Sequence, residues 1–267
     1  MRTDSPASEI LPLIRQYTGS VGSIRPTERG FNSDLTALVD SEKGWFFVKA
    51  VRNRPGGRRA SLIRERVIND YTSTVAPPLL WDVEDDEWLI LGFMAVEART
   101  ALFEPDSPDV PVVVRLIREI GELPLPRHVE HWTETRWDRF TADPSEASLF
   151  RGDSLLHTDI NPSNFLIGSE QCWVVDWAWP TRGAGFIDVA LLVVQLIAAG
   201  HAPAEAERWV TRCPAWRRAE PHAVDAFAAA NLRMHRSYAK RKLGVEWLDA
   251  MVSACRAWTD YRGVVVD

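Results

Sequence analysis

The segment of residues 153–188 constrains the chain more than any other, because it places polar side chains at fixed spacing between apolar runs. His157, Asp159 and Asn164 form the pattern H-x-D-x-x-x-x-N. A second carboxylate, Asp176, follows twelve residues after the amide. Phosphoryl transfer needs one carboxylate to orient and deprotonate a hydroxyl group, and an amide and a second carboxylate to hold magnesium. The spacing therefore predicts a site for this chemistry.

The local pattern predicts a loop followed by two antiparallel strands. Pro162 keeps the loop out of an α-helix. Two apolar runs, residues 165–167 and 172–175, read as strands around a tight turn that begins with glycine. This hairpin should bring Asp176 beside Asn164, and their oxygen atoms suit Mg²⁺ as ligands.

These residues resemble the aminoglycoside phosphotransferase and choline-kinase-like family, whose members are small-molecule relatives of protein kinases. Its usual motifs are H-G-D-x-x-x-x-N and D-W, whereas here the first motif reads His-Thr-Asp and Trp177 follows Asp176. Asp188, followed by Val-Ala, resembles the family's later D-L-A, which braces the catalytic loop. Thr158 stands where the family usually has glycine, and glycine tolerates backbone conformations that threonine does not. His157 is expected to be a structural hydrogen-bonding residue.

The resemblance implies an α+β, two-lobe protein-kinase-like fold. A small antiparallel sheet lobe that binds nucleotide would span residues 1–97. A larger, mainly helical lobe with the catalytic loop and the acceptor site would span residues 98–267. Strand patterns fall within residues 23–52, 79–83 and 88–93. Apolar residues at helical spacing predict helices at residues 8–17, 58–71, 110–123, 131–140, 188–199, 203–212, 221–238 and 245–261.

Lys49 is the second candidate site residue, because it lies on a predicted strand dense in aromatic and β-branched residues. A lysine on such a strand needs a partner. Glu65, on the predicted helix of residues 58–71, is the candidate. By resemblance, Lys49 would bind the α- and β-phosphates and Glu65 would hold it. The alternative is an exposed Lys49 at a sheet edge, with Glu65 paired to an arginine of its own helix.

The resemblance implies two further nucleotide contacts. Backbone groups of Phe93 and Ala95, in the hinge after the last strand of the small lobe, would bind adenine. A loop between two strands would cover the phosphates through its N–H groups. It contains one glycine, so an ordinary hairpin loop is the alternative. The loop comprises Gly30, Phe31, Asn32 and Ser33.

Composition excludes several other classes of protein. Of 267 residues, 46% are hydrophobic and 25% are charged, as in globular proteins. No apolar run approaches the roughly 20 residues that span a bilayer, and no signal peptide is evident, so we expect a cytoplasmic protein without a membrane partner. A net charge of −6 argues against a nucleic-acid partner. The three cysteines match no zinc spacing and no disulfide framework.

The sequence thus predicts a kinase that transfers the γ-phosphoryl group of ATP or GTP, with Mg²⁺, to a hydroxyl group of a small molecule. Asp159 would be the catalytic base, and Asn164 and Asp176 the metal ligands. From residue 98 onward the chain has 19 Lys and Arg against 23 Asp and Glu, a mildly acidic balance that favours an aminoglycoside or related amine as acceptor. Such an acceptor is compatible with antibiotic resistance and with a metabolic role. The protein would act as a monomer or dimer. The alternative is a catalytically degenerate nucleotide-binding module that regulates a partner.

Overall fold

A computed structural model gives the structure of the protein and describes residues 5–27 and 33–267. The predicted phosphate-covering residues Gly30, Phe31 and Asn32 lie outside the described residues. The chain divides into two compact units: Met1–Ala98 with Trp173–Trp179, and Arg99–Cys172 with Pro180–Asp267. The division predicted from the sequence is continuous, whereas the first unit also includes the separate segment Trp173–Trp179.

The first unit is built on a five-stranded antiparallel sheet with the strand order β1-β2-β3-β5-β4. Two helices accompany the sheet, α1 (Pro6–Thr18) and α2 (Gly57–Thr72). The strands are β1 (Val21–Pro26), β2 (Leu35–Ser41), β3 (Gly44–Arg52), β4 (Leu79–Glu84) and β5 (Trp88–Met94).

Alternation along β3 divides its side chains between two apolar clusters. Phe46, Val48 and Ala50 join a buried cluster that includes Ile10 and Ile14 of α1. The intervening positions, 47 and 51, join a second cluster with Leu62 of α2. Because successive residues of a strand point to opposite faces, position 49 belongs to the α2 side. The strand pattern therefore directs the lysine there towards the helix that carries Glu65.

The second unit is mainly helical. Its core contains an aromatic cluster in which Phe227 contacts Trp137, Phe150 and Phe186, with ring centroids 4.8 to 5.9 Å apart. The helices are α3 (Val110–Ile120), α4 (Phe186–Ala198), α5 (Pro203–Val210), α6 (Pro214–Arg218), α7 (Pro221–Arg241) and α8 (Glu246–Tyr261).

Short strands flank the polar segment of residues 157–164. One pair is two-stranded, β7 with β10, and a three-stranded sheet has the order β6-β8-β9. The adjacency of β8 and β9, with a turn between them, matches the predicted hairpin. These strands are β6 (Ala98–Thr100), β7 (Ser154–Leu156), β8 (Phe165–Gly168), β9 (Cys172–Val174) and β10 (Thr181–Gly183).

The helix predicted for residues 131–140 is wrong. Thr133 forms a parallel bridge with Arg182, and only the 3-10 turn Asp138–Phe140 is helical there. Glu134 donates its backbone N–H to the carbonyl of Arg182 at 2.8 Å, which replaces a helical hydrogen bond. The first helix also begins earlier than the predicted residue 8, at Pro6, because Ser5 is its N-cap. Within the described residues, no helix is long and apolar enough to cross a membrane.

Candidate active site

Asp188, in the first turn of α4, anchors the loop that follows β7. Its two carboxylate oxygens accept the backbone N–H groups of His157 at 2.7 Å and Thr158 at 2.9 Å. Asp188 is 3% exposed. Burial raises the pKa of Asp188, while the charge of His157 and the two backbone donors oppose that rise. The loop therefore begins from a buried, fixed point.

His157 is buried, with 1% of its surface exposed to solvent. Its Nδ1 accepts the backbone N–H of Asp159 at 3.2 Å. This contact stabilises the turn of the loop and agrees with a structural role for the histidine.

The Asp159 carboxylate is held by one amide on each oxygen. Asn161 Nδ2 donates to Oδ1 at 3.0 Å, and Asn164 Nδ2 donates to Oδ2 at 3.0 Å. Asn161 is itself fixed, because its Oδ1 accepts the backbone N–H of Ser163 at 3.0 Å. Asp159 remains exposed. The arrangement presents an oriented carboxylate to solvent, as a general base requires.

Asn161 is a site residue that the sequence analysis missed. The signal for it was the Asn161-Pro162 pair, because asparagine before proline commonly bonds to the backbone two residues on and starts a turn. Its contact with the carboxylate depends on the shape of that turn.

Asn164 ends a single 3-10 turn and is 6% exposed. Its Nδ2 donates to both the backbone carbonyl and the carboxylate of Asp159, at 2.8 and 3.0 Å. With the nitrogen engaged in this way, the amide oxygen is the atom left to act as a ligand. A hard oxygen donor of this kind fits Mg²⁺.

In the first unit, Lys49 is buried against two carboxylates. Its Nζ lies 2.8 Å from Glu65 Oε1 and 3.0 Å from Asp176 Oδ1. Burial by itself lowers the pKa of Lys49, but the charges of Glu65 and Asp176 and their hydrogen bonds outweigh burial and hold the pKa above its usual value. The lysine is therefore a fixed positive charge, and the ion pair with Glu65 excludes the alternative of an exposed Lys49.

Asp176 differs from Glu65 in its surroundings. The Asp176 side chain is 43% exposed, whereas that of Glu65 is 7% exposed. Asp176 has a φ of +64°, a left-handed conformation that few non-glycine residues adopt. A partly exposed carboxylate beside a fixed cation can bind a metal ion that brings its own anionic partners.

Three solved structures resemble the protein over nearly their whole length. The choline kinase LicA from Streptococcus pneumoniae is 11% identical, with 97% of this chain and 99% of that chain covered and a TM-score of 0.64. An aminoglycoside phosphotransferase from Alicyclobacillus acidocaldarius is 13% identical, with 94% of each chain covered and a TM-score of 0.62. The amicoumacin kinase hAmiN, solved with AMP-PNP, Ca²⁺ and Ami, is 10% identical, with 96% and 94% covered and a TM-score of 0.60.

The chain has a protein-kinase-like fold. The predicted α+β fold class is thereby confirmed, with an antiparallel sheet first and a mainly helical remainder. A second structure of LicA contains AMP. No protein-family model matches the sequence, and no curated protein matches it.

The kinase-like fold distributes the predicted site residues between the two units. Lys49, Glu65 and Asp176 belong to the first unit, and Asp159 and Asn164 to the second. Magnesium binding by Asn164 and Asp176 together stays a prediction. In the part of the chain that the structure describes, no three His, Cys, Asp or Glu side chains cluster as a metal site.

The predicted adenine contacts and the remaining loop residue lie in the first unit of the kinase-like fold. Phe93 is buried in β5, and Ala95 lies in the connection after that strand, partly exposed. Ser33 is partly exposed just before β2. Their contacts with a nucleotide stay predictions.

Proposed function

We propose that the protein transfers the γ-phosphoryl group of ATP or GTP to a hydroxyl group of a small molecule. The observation that carries this proposal is the Asp159 carboxylate, exposed yet held by Asn161 and Asn164 in a loop anchored on Asp188. A base for phosphoryl transfer needs a fixed orientation and access to the acceptor, and this carboxylate has both.

In the proposed reaction, Asp159 accepts the proton of the acceptor hydroxyl group. The hydroxyl oxygen forms a bond to the γ-phosphorus as the bond to the β-phosphate oxygen breaks, which leaves ADP or GDP. Mg²⁺, when bound, neutralises charge on the phosphates. Asn164 and Asp176 are the proposed ligands for it, through amide and carboxylate oxygens.

Lys49 is proposed to bind the α- and β-phosphates. Its charge is secured by Glu65, which contacts it through both carboxylate oxygens at 2.8 and 3.0 Å. The residues from Gly30 to Ser33 are proposed to cover the phosphates, and Phe93 and Ala95 to contact adenine. Structural neighbours that contain AMP or AMP-PNP support a nucleotide as co-substrate.

For the acceptor, we propose a hydroxylated amine, with aminoglycosides as one class. Two neighbours are named as a choline kinase and an aminoglycoside phosphotransferase, and choline and aminoglycosides both carry hydroxyl groups and positively charged nitrogen atoms. The excess of 23 Asp and Glu over 19 Lys and Arg from residue 98 onward supports a cationic acceptor. Activity on an antibiotic would make the protein a resistance enzyme, acting in the cytoplasm where ATP and magnesium are present.

ADP or GDP release tests this proposal, with Mg·ATP and Mg·GTP and a panel of choline, ethanolamine and aminoglycosides. Asp159→Asn should lower kcat by about 10²- to 10⁴-fold, because the amide cannot accept the proton. Glu170→Gln makes the same chemical change at an exposed turn and should leave kcat unchanged. Full activity in Asp159→Asn, or no acceptor-dependent release with any member of the panel, would contradict the proposal.

A further inference from the structure

Thr158, which immediately precedes the proposed base, has a strained backbone. Its φ is +64°. A β-branched residue in this left-handed region is a steric outlier, whereas glycine adopts it without strain. Thr158 is also buried, at 3% exposure. If the residue relaxed to an extended conformation, the peptide between Thr158 and Asp159 would turn and the carboxylate would change direction.

Both terminal nitrogens of the Arg136 guanidinium group donate hydrogen bonds to Thr158. Nη1 donates to the carbonyl oxygen of Thr158 at 2.9 Å, and Nη2 donates to its Oγ1 at 3.0 Å. The planar fork of an arginine holds two acceptors in a fixed geometry, which the rotating ammonium group of a lysine does not impose. Because Asp188 accepts the N–H of Thr158, the backbone donor, the backbone acceptor and the hydroxyl group are all engaged.

Arg136 is itself held by a buried carboxylate. Its backbone N–H donates to Glu134 Oε1 at 2.6 Å, and its Nη2 lies 3.9 Å from Glu134 Oε2. Thr181, on β10, donates to that same Oε2 at 2.9 Å. The guanidinium group also lies over the ring of Trp137, 5.0 Å from its centroid. The fork therefore approaches Thr158 from a fixed direction.

We propose that Arg136 is a positioning residue for the reaction, which holds Thr158 in its strained conformation and thereby aims the Asp159 carboxylate. The role of Arg136 in catalysis rests on the proposed function, whereas its hydrogen bonding to Thr158 does not. Its distinguishing consequence is that the need for Arg136 depends on the residue at position 158. A glycine there would adopt the same φ unaided.

A double-mutant cycle tests this dependence with Arg136→Met, Thr158→Gly and the double variant. Arg136→Met should lower kcat by about tenfold in the Thr158 chain with little change in KM, as expected when strain is released next to the base. In the Thr158→Gly chain it should have little effect. Arg115→Met, at an exposed arginine of α3, is the matched control and should leave kcat unchanged. Equal losses of kcat in the Thr158 chain and in the Thr158→Gly chain would show that Arg136 only supports the fold, and would overturn the proposal.

Amide hydrogen exchange gives a readout that needs no substrate. Arg136→Met should speed the exchange of the Thr158 and Asp159 amides in the Thr158 chain, and not in the Thr158→Gly chain. Unchanged exchange in Arg136→Met would overturn the proposal even if turnover were found. Amide exchange that depends on Arg136 only in the Thr158 chain, without turnover on any acceptor, would support the positioning of Thr158 by Arg136. It would count against the proposed function alone. If Arg136→Met does not fold, Arg136→Lys takes its place in the cycle, since it keeps the charge and removes the fork.

Discussion

Lys49 shows how a single residue links the sheet to the proposed chemistry. It is buried in β3, on the face that α2 covers, and its charge is balanced by Glu65 and Asp176. A buried pair contributes little net stability, but breaking it leaves an uncompensated charge in the interior. The pair therefore makes the first unit depend on both partners being present.

Removing only the lysine should strongly destabilise the protein. Lys49→Met leaves the Glu65 carboxylate buried without its cation and should lower the free energy of unfolding by about 3–5 kcal/mol. The double variant Lys49→Met/Glu65→Met should recover much of this loss, because it removes the stranded charge as well. Urea unfolding at pH 7 measures both values.

Lys43→Met serves as the control, because Lys43 is an exposed lysine of the same unit. It should change the free energy of unfolding by no more than about 0.5 kcal/mol. If the double variant lost as much free energy of unfolding as Lys49→Met and Glu65→Met lose together, the two residues would not be a coupled buried pair.

For single residues, the sequence identified the side chains whose charge is unusual for their apolar surroundings. Lys49 on an apolar strand demanded an acidic partner, and Glu65 was the only acidic residue between Glu42 and Asp70. The contacts of Asn161 and Arg136 could not be predicted in the same way. Arg136 lies 22 residues before Thr158, and their contact depends on a backbone torsion and on an irregular segment that no periodicity describes.

Among the elements, the pairing of β4 with β5 depends on a glycine. Gly92 lies opposite Trp81 in the register of these strands. A Cβ atom at position 92 would come within 2.1 Å of the Trp81 ring. That ring is stacked on Tyr17 of α1, with centroids 5.2 Å apart and planes 10° from parallel. The indole cannot move aside without losing this contact.

Gly92→Ala should therefore destabilise the protein by roughly 1–3 kcal/mol, the usual effect of overpacking a buried site. Gly57→Ala is the control, because a Cβ atom at this first position of α2 meets nothing within 4 Å. It should be neutral or stabilise by up to about 1 kcal/mol. Thermal and urea unfolding of the two variants provide the comparison, and equal stability of Gly92→Ala and Gly57→Ala would contradict the packing described for β4 and β5.

Elements with a clear period were predictable and irregular segments were not. The helices α2, α4, α7 and α8 begin and end within three residues of their predicted bounds, because a core-facing apolar stripe has a helical repeat. The helix predicted over residues 131–140, which contain Trp132 and Trp137, does not form because tertiary contacts determine the structure of this segment. Trp137 packs on Phe227 and donates to Asn231 at 3.0 Å.

At the scale of the whole molecule, the fold class was predicted from the resemblance of residues 153–188 to a phosphotransferase family, and the succession of strand patterns followed by helical patterns agreed with it. Five strands lie in the first part of the chain, and helices dominate after residue 109. The return of residues 173–179 to the first unit was not predictable, because sequence order does not show which unit takes up a short connecting segment.

The proposed function requires the protein to bind a nucleotide together with magnesium. The most direct test of this requirement is the melting temperature with and without Mg·ATP and Mg·GTP. A ligand at about 100 times its Kd adds roughly 2.7 kcal/mol of stability, which corresponds to a rise of roughly 5–10 °C for a protein of this size. The rise should require magnesium and should be lost in Asp176→Asn. Asp86→Asn, at an exposed turn of the same unit, should retain it. No rise with either nucleotide at millimolar concentration would contradict the account.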